Sequence, residues 1–101
     1  MQTVARKRIE ILADAPLLPR LLAAFEACDI GGHTIFPVSG GSGRTGRWSE
    51  DRLTGTSKLM LMAIASDEHA AALVDQLAPL LDSHRLLLTL STVEVIRGDR
   101  F

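Results

Sequence analysis

The chain has 101 residues, a length typical of one domain. Of these residues 47% are hydrophobic and 23% are charged, a composition that excludes an intrinsically disordered protein. The formal net charge of -1 gives no electrostatic support to nucleic-acid binding, and the single cysteine excludes an internal disulfide framework and a cysteine metal cluster. The N-terminus lacks the apolar segment of a signal peptide, and no apolar run reaches the length of a membrane span, so we expect a cytoplasmic protein.

The first part of the chain predicts a strand, a helix and a second strand. Hydrophobic and polar residues alternate from Val4 to Ala13, which indicates a strand with one apolar face. Apolar residues at helical spacing then predict an amphipathic helix from about Leu17 to Cys28, which Gly31 and Gly32 are expected to end. Residues His33 to Val38 read as the second strand.

The second half repeats this strand–helix–strand pattern. Continuous apolar residues predict a third strand from Lys58 to Ala65. Ser66 is expected to cap a second helix that has two acidic residues in its first turn, and Pro79 is expected to kink or shorten its last turn. A fourth strand is predicted from Arg85 to Ile96.

This order of elements predicts a single α+β domain over residues 1–101, a ferredoxin-like βαββαβ fold with an antiparallel sheet. In that fold the helices cover only one face of the sheet. The third strand nevertheless lacks polar alternation, which indicates that both of its faces are buried. Either the open face packs against other subunits, which we favour, or the fold alone buries the strand.

The segment 39–57 between the second and third strands is far longer than a hairpin needs and is rich in glycine. Exposed backbone N–H groups of such a segment can wrap an anion, and Arg44 and Arg47 can add bidentate contacts to phosphate or carboxylate-like oxygens. The alternative to anion binding is that this segment is a flexible hairpin tip on the surface. Gly41, Gly43 and Gly46 formally match a dinucleotide-binding fingerprint, but no helix is predicted to follow and the chain has no doubly wound sheet.

Other chemistry-bearing residues give weaker signals. Trp48 either contacts a partner or ligand or packs on its own subunit, and the two interpretations are equally supported. Arg97 and Arg100 either belong to a solvated tail or contact phosphate. Cys28 is expected to be a buried, inert thiol.

The three histidines are dispersed, without the spacing of metal ligands, and plain surface roles are expected for His33, His69 and His84. The sequence shows no Ser/His/Asp or Cys/His arrangement and no evident acid–base pair of carboxylates. We therefore expect no catalytic activity and no metal site.

Five segments along nearly the whole chain resemble the PII signal-transduction superfamily: Lys7–Ile11, Gly31–Ile35, Val38–Arg44, Ser57–Leu59 and Thr92–Arg97. The resemblance implies trimers that bind adenine nucleotides in the clefts between subunits. It also implies that segment 39–57 is the T-loop, which contacts the partner of the regulatory protein.

Two departures from the superfamily pattern narrow this resemblance. The glycine- and lysine-containing phosphate loop that usually precedes the last strand is replaced by Leu81–Arg85, and the chain has no tyrosine, which excludes tyrosine uridylylation. What remains is similar to the divergent PII-like proteins of inorganic-carbon metabolism, including the carboxysome-associated ones, which sense adenylate nucleotide and bicarbonate.

The resemblance implies a non-enzymatic regulator whose ligands are ADP or AMP and, as a further candidate, bicarbonate, with no metal. The residues that it implies for nucleotide binding are Ser39, Gly40, Gly41, Arg44, Arg47, Lys58, Arg85, Arg97 and Arg100. Those implied for bicarbonate are Gly41, Ser42, Gly43 and Arg47. Trp48 is the candidate contact to a protein partner, for which a membrane transporter is one candidate, while neither nucleic-acid binding nor membrane insertion is expected.

Two other functions compete with this interpretation. A CutA-like trimer in metal tolerance would share the fold, but the scattered histidines and lone cysteine argue against it. A small enzyme of ferredoxin-like fold is disfavoured because the sequence shows no catalytic set.

Overall fold

The computed structural model describes residues 2–43, 46–49 and 57–96. The strands are β1 (Thr3–Asp14), β2 (Thr34–Val38), β3 (Gly40–Gly43), β4 (Gly46–Ser49), β5 (Lys58–Ala65) and β6 (Leu87–Ile96). The helices are α1 (Leu18–Ala27), preceded by a 3₁₀ turn over Ala15–Leu17, and α2 (Asp67–Ser83).

The main sheet has four antiparallel strands in the order β2-β5-β1-β6. With the two helices, this arrangement is the predicted ferredoxin-like α+β fold, in which the first strand lies in the interior of the sheet and the last strand at one edge. Strand β5 has the predicted bounds, Lys58–Ala65.

The hydrophobic core lies between the helices and one face of the sheet. Alternate residues of β1 and β5 point into it, and Ile11 lies directly opposite Leu61 in the sheet, both fully buried. Leu21 of α1 and Leu73 of α2 are also fully buried and close the core from the other side. Cys28 is buried as predicted.

The other face of the sheet is covered by no element of the described part of the chain, and it carries an apolar row. Phe36, Met60, Leu12 and Leu87 are successive neighbours across all four strands. Phe36 and Leu87 at the two ends of this row are 43% and 57% exposed. We call these four residues the open-face row.

The end of α1 differs from the prediction that Gly31 and Gly32 terminate it. The helix ends at Ala27, and Asp29 adopts the left-handed conformation, with φ of 60°. The backbone N–H groups of Asp29 and Ile30 donate to the carbonyl oxygens of Glu26 and Phe25, at 3.1 and 2.9 Å. This is a Schellman ending, which satisfies the last carbonyls of the helix and uses an aspartate where glycine is commonest.

Helix α2 begins as predicted and continues past Pro79. The hydroxyl of Ser66 accepts a hydrogen bond from the backbone N–H of His69 at 3.2 Å, which confirms the cap. The expected shortening at Pro79 is wrong, because the helix continues to Ser83. Arg85 then has a φ of 51°, outside the strand conformation, so β6 begins at Leu87 rather than at Arg85.

The T-loop segment contains regular structure that the sequence did not predict. Strands β3 and β4 pair as a separate antiparallel ribbon, in which Gly43 lies opposite Gly46. Gly46 has a φ of 112°, a conformation that residues with a side chain rarely adopt.

Within the described residues, no helix is long and apolar enough to cross a membrane.

We predict that Asp29→Gly stabilises the fold, by roughly 0.5–1 kcal/mol, because glycine adopts the left-handed conformation without the steric cost of a Cβ atom. Chemical denaturation monitored by circular dichroism would measure the change. Ala23→Gly, at an exposed position inside α1, is the matched control and should destabilise by about 0.5–1 kcal/mol. A destabilising effect of Asp29→Gly would contradict the assigned helix ending.

Candidate functional site

One end of the sheet brings an acid and a base together. Asp14 is the last residue of β1 and Lys58 the first residue of β5, and the two lie directly opposite each other. The Lys58 Nζ atom is 2.7 Å from Asp14 Oδ1, in a pair whose side chains are 27% and 49% exposed. Just beyond it, the backbone N–H of Ala15 donates to the carbonyl of Ser57 at 2.9 Å, which extends the strand pairing. Because the pair is partly exposed, its net contribution to stability is modest, and its charges are within reach of a ligand.

The C-terminal end of α2 contributes three more polar residues at the same place. Ser83 is the last residue of the helix, His84 caps it, and Arg85 follows in the left-handed conformation. The Ser83 Oγ atom donates to the carbonyl oxygen of Pro79 at 2.9 Å and lies 2.6 Å from Nδ1 of His84. A left-handed residue other than glycine or asparagine is uncommon, and such conformations concentrate at functional sites.

These residues surround one depression of about 390 Å³, lined by Asp14, Lys58, Ser83, His84 and Arg85. We call it the cationic pocket. It contains an ammonium and a guanidinium against a single carboxylate, so its fixed charge is positive. The guanidinium offers forked donors that match phosphate or carboxylate oxygens, and the ammonium adds a compact charge. The arrangement is chemically suited to hold a small anion or the phosphate end of a ligand.

The structure brings together two of the residues implied for nucleotide binding, Lys58 and Arg85. Ser39 joins β2 to the β3–β4 ribbon, and Gly40, Gly41 and Arg47 lie within that ribbon. The remaining three, Arg44, Arg97 and Arg100, lie outside the described residues.

The residues implied for bicarbonate binding are neighbours in the β3–β4 ribbon. Gly41, Ser42 and Gly43 are exposed, and Ser42 lies directly opposite Arg47. In a strand, successive backbone N–H groups point to opposite sides, so in this conformation they do not converge on one anion. An anion cradle of the kind predicted from the glycines therefore requires a different conformation of this segment. Trp48, the candidate partner contact, lies opposite Gly41 in the same ribbon.

Sequence reasoning missed three residues of the cationic pocket: Asp14, Ser83 and His84. The predicted first strand stops at Ala13, one residue before Asp14, and His84 was expected only to be a surface histidine. The signal for Asp14 was the register of the strands. Once Ile11 is placed opposite Leu61, Asp14 must lie opposite Lys58.

The other two histidines have separate environments. The ring of His33 packs edge-on against Phe25, with 6.4 Å between the ring centroids. His69 lies in the first turn of α2, where its backbone N–H is bound by Ser66. In the part of the chain that the structure describes, no three His, Cys, Asp or Glu side chains form a group that could hold a metal ion.

Solved structures that share this fold were found over almost the whole chain. CPII, a nitrogen regulatory PII-like protein from Thiomonas intermedia K12, bound to ADP, AMP and bicarbonate, superposes with a TM-score of 0.89 at 18% identity, covering 99% of this chain and 96% of that one. CPII bound to ADP and bicarbonate gives 0.86 at 20% identity, covering 99% and 97%. A protein of Thermus thermophilus assigned to the PII-like signalling class gives 0.82 at 24% identity, covering 100% and 99%.

No curated protein sequence matches the chain. The family model of the nitrogen regulatory protein P-II matches residues 6–100, which is nearly the full length. The element order, the long segment between β2 and β5 and this match agree, and the chain belongs to the nitrogen regulatory protein P-II family, as a divergent PII-like member.

Proposed function

We propose that this protein is a non-enzymatic regulator that binds ADP or AMP with its phosphate groups in the cationic pocket and transmits the ligand state to a protein partner through the T-loop. The observation that carries the proposal is the convergence of Lys58 and Arg85 on one depression, with Arg85 held in a strained, left-handed conformation. A fold maintains such strain where the position of the side chain matters.

The pocket supplies the chemistry that the missing phosphate loop would otherwise supply. Residues 81–85 contain no glycine and no lysine, so they cannot wrap a phosphate with glycine backbone or a lysine of their own. Instead, one cation comes from the start of β5 and one from the turn after α2. Two cations on separate elements can bind two oxygens of the same phosphate group or of adjacent groups.

The ligands of structurally similar proteins support the choice of ADP or AMP. CPII from Thiomonas intermedia K12 binds ADP, AMP and bicarbonate. We propose that this chain also binds an adenine nucleotide, because its pocket is cationic. We propose that bicarbonate binds as a second ligand in the T-loop, at Gly41, Ser42, Gly43 and Arg47.

The position of Lys58 explains how a ligand in the pocket would act on the T-loop. Lys58 begins β5 and directly follows segment 39–57, so a phosphate bound there restrains one end of that segment. Restraining a segment lowers the entropic cost of ordering the rest of it for a partner or a second ligand. We propose that Trp48 contacts the protein partner.

The open-face row supports assembly of this protein into a homotrimer. Four apolar side chains aligned across the whole sheet would be protected from water by the same face of other subunits. The adjacent row of the sheet contains Lys58 and Asp14. An interface on the open face would therefore place the cationic pocket at a boundary between subunits, where a second subunit can complete it.

We predict that the protein binds ADP and that Arg85→Gly weakens this binding by about 10- to 150-fold, because hydrogen bonds to charged groups contribute roughly 1.5–3 kcal/mol each. Glycine tolerates the φ of 51° at this position, so the variant should keep or gain stability. Isothermal titration calorimetry measures the affinity and thermal denaturation the stability.

Arg20→Ala is the matched control for this experiment, since it removes an arginine that lines a groove between the helices and should leave ADP affinity unchanged. Equal ADP affinity of the wild type and a folded Arg85→Gly variant would refute the placement of phosphate in the pocket.

We predict that the protein is a trimer at micromolar concentration and that Met60→Glu, in the middle of the open-face row, gives monomers, because burying a charge without a partner is unfavourable. Size-exclusion chromatography with light scattering measures the mass. Gln76→Glu, on the exposed face of α2, should stay trimeric. A monomeric wild type would defeat this part of the proposal.

We predict that bicarbonate tightens ADP binding by about 5- to 150-fold, the range of a typical coupling free energy, and that ADP tightens bicarbonate binding by the same factor. Arg47→Ala should reduce the coupling more than it reduces stability. The measurement is an ADP titration with and without bicarbonate at fixed pH and ionic strength, with chloride replacing bicarbonate in the control. Identical ADP affinity in both solutions would leave an adenylate-binding protein without a bicarbonate response.

A further inference from the structure

The two contacts of the Ser83 hydroxyl favour one tautomer of the His84 ring. The hydroxyl of Ser83 has one hydrogen and lies 2.9 Å from the carbonyl oxygen of Pro79, which can only accept a hydrogen bond. If that hydrogen is donated to Pro79, the 2.6 Å contact between Ser83 Oγ and His84 Nδ1 is a hydrogen bond only when Nδ1 donates. Both contacts are satisfied together when Nδ1 is protonated.

This arrangement fixes the chemistry of the other ring nitrogen. With the hydrogen on Nδ1, the neutral ring has a bare lone pair at Nε2. No described residue forms a hydrogen bond with Nε2. A lone pair repels the oxygen atoms of a phosphate, whereas a protonated imidazolium donates a charge-assisted hydrogen bond to them. A neutral His84 in the opposite tautomer could donate from Nε2 at any pH, and the Ser83–Pro79 contact disfavours that tautomer.

The charged groups that line the pocket with His84 come from three parts of the fold. Asp14 belongs to β1, Lys58 to β5, and Arg85 follows α2. Asp82, on the same helix as Ser83, does not line the pocket. Asp14 and Lys58 are paired at 2.7 Å, so much of the ammonium charge is already balanced. Arg85 then provides most of the remaining positive charge, and a proton on His84 would roughly double it.

We infer that His84, held by Ser83 in the Nδ1–H tautomer, is a phosphate contact only when its ring is doubly protonated, and that it makes nucleotide binding tighter at lower pH. This inference rests on the proposed function, since it concerns the same pocket. Histidine is the side chain whose charge ordinarily changes near neutral pH. Binding of the phosphate and binding of the proton are linked, so ADP binding takes up protons.

The test compares ADP affinity of the wild type and His84→Gln by calorimetry at pH 6.0 and pH 8.5. ADP itself gains a proton in this range, and the ratio of the two affinities at each pH removes that contribution. At pH 6.0 we expect the wild type to bind ADP about tenfold more tightly than His84→Gln, because the variant lacks one charge-assisted hydrogen bond. At pH 8.5 we expect the two ADP affinities to agree within about twofold. At neutral pH, titrations in two buffers of different ionisation enthalpy should show more proton uptake by the wild type than by His84→Gln.

Ser83→Ala tests the positioning role separately. Without the hydroxyl, the neutral ring can carry its hydrogen on Nε2 and donate to phosphate at high pH, so the pH dependence should become flatter than that of the wild type. His69→Gln is the matched control, because the hydrogen bond at that residue uses the backbone, and its pH dependence should equal that of the wild type.

The outcomes separate this inference from the proposed function. In one outcome, the wild type binds ADP while the ratio of its ADP affinity to that of His84→Gln stays constant between pH 6.0 and 8.5. That result would overturn the role of His84 and leave the nucleotide site intact. A wild type that does not bind ADP at either pH would overturn the proposed function and the inference together. A pH profile of Ser83→Ala identical to that of the wild type would overturn the role of the tautomer.

Discussion

The register of strand β1 is the constraint on which the rest of this structure depends. It pairs along almost its whole length with β6 and over its second half also with β5. A slip of one residue would move Ile9, Ile11 and Ala13 from the core to the open face and place more polar residues in the core. The same register places Asp14 opposite Lys58. The position of the cationic pocket therefore follows from the burial of three apolar side chains that precede Asp14 in the same strand.

The two helices end in similar ways but at opposite ends of the sheet, and only the ending of α2 lies at the cationic pocket. Asp29 after α1 and Arg85 after α2 both have positive φ values, and each is followed by a buried aliphatic residue. Burial of Ile30 and Leu86 holds each chain reversal in place, so that a residue without glycine's freedom accepts the left-handed conformation. The residue after α2, Arg85, lines the pocket, so packing of the core fixes the backbone position from which its charged side chain extends.

The proposed mechanism needs no large rearrangement of the core. The sheet and helices form the support, and the proposed ligand contacts lie on turns and at strand ends. The T-loop lies between β2 and Lys58, so the binding of an anion in the pocket can offset part of the free-energy cost of ordering the adjoining segment. The open-face row would anchor several copies of this support, and each pocket would lie where a neighbour can contribute to it.

The amino-acid sequence alone predicts the order and the approximate bounds of the elements, because hydrophobic periodicity reports directly which residues face a core. It predicted β5 with its observed bounds and the Ser66 cap, since both depend on local chemistry. It placed the end of α1 to within one residue but attributed it to the glycines at 31 and 32, whereas the chain reverses at Asp29, which the buried Ile30 secures by tertiary packing. It also expected a strand from Arg85, which the turn after α2 prevents.

For the site, the sequence and its family resemblance supplied Lys58 and Arg85 as separate residues 27 positions apart. Folding brings these two residues into one pocket with Asp14, Ser83 and His84, because that pocket joins the end of β1, the start of β5 and the end of α2. The tautomer of His84 depends on Pro79, five residues earlier, through a hydroxyl placed by one turn of helix. Residue type gives the chemistry that a side chain is able to perform, and the packing of sheet against helices decides which side chains perform it together.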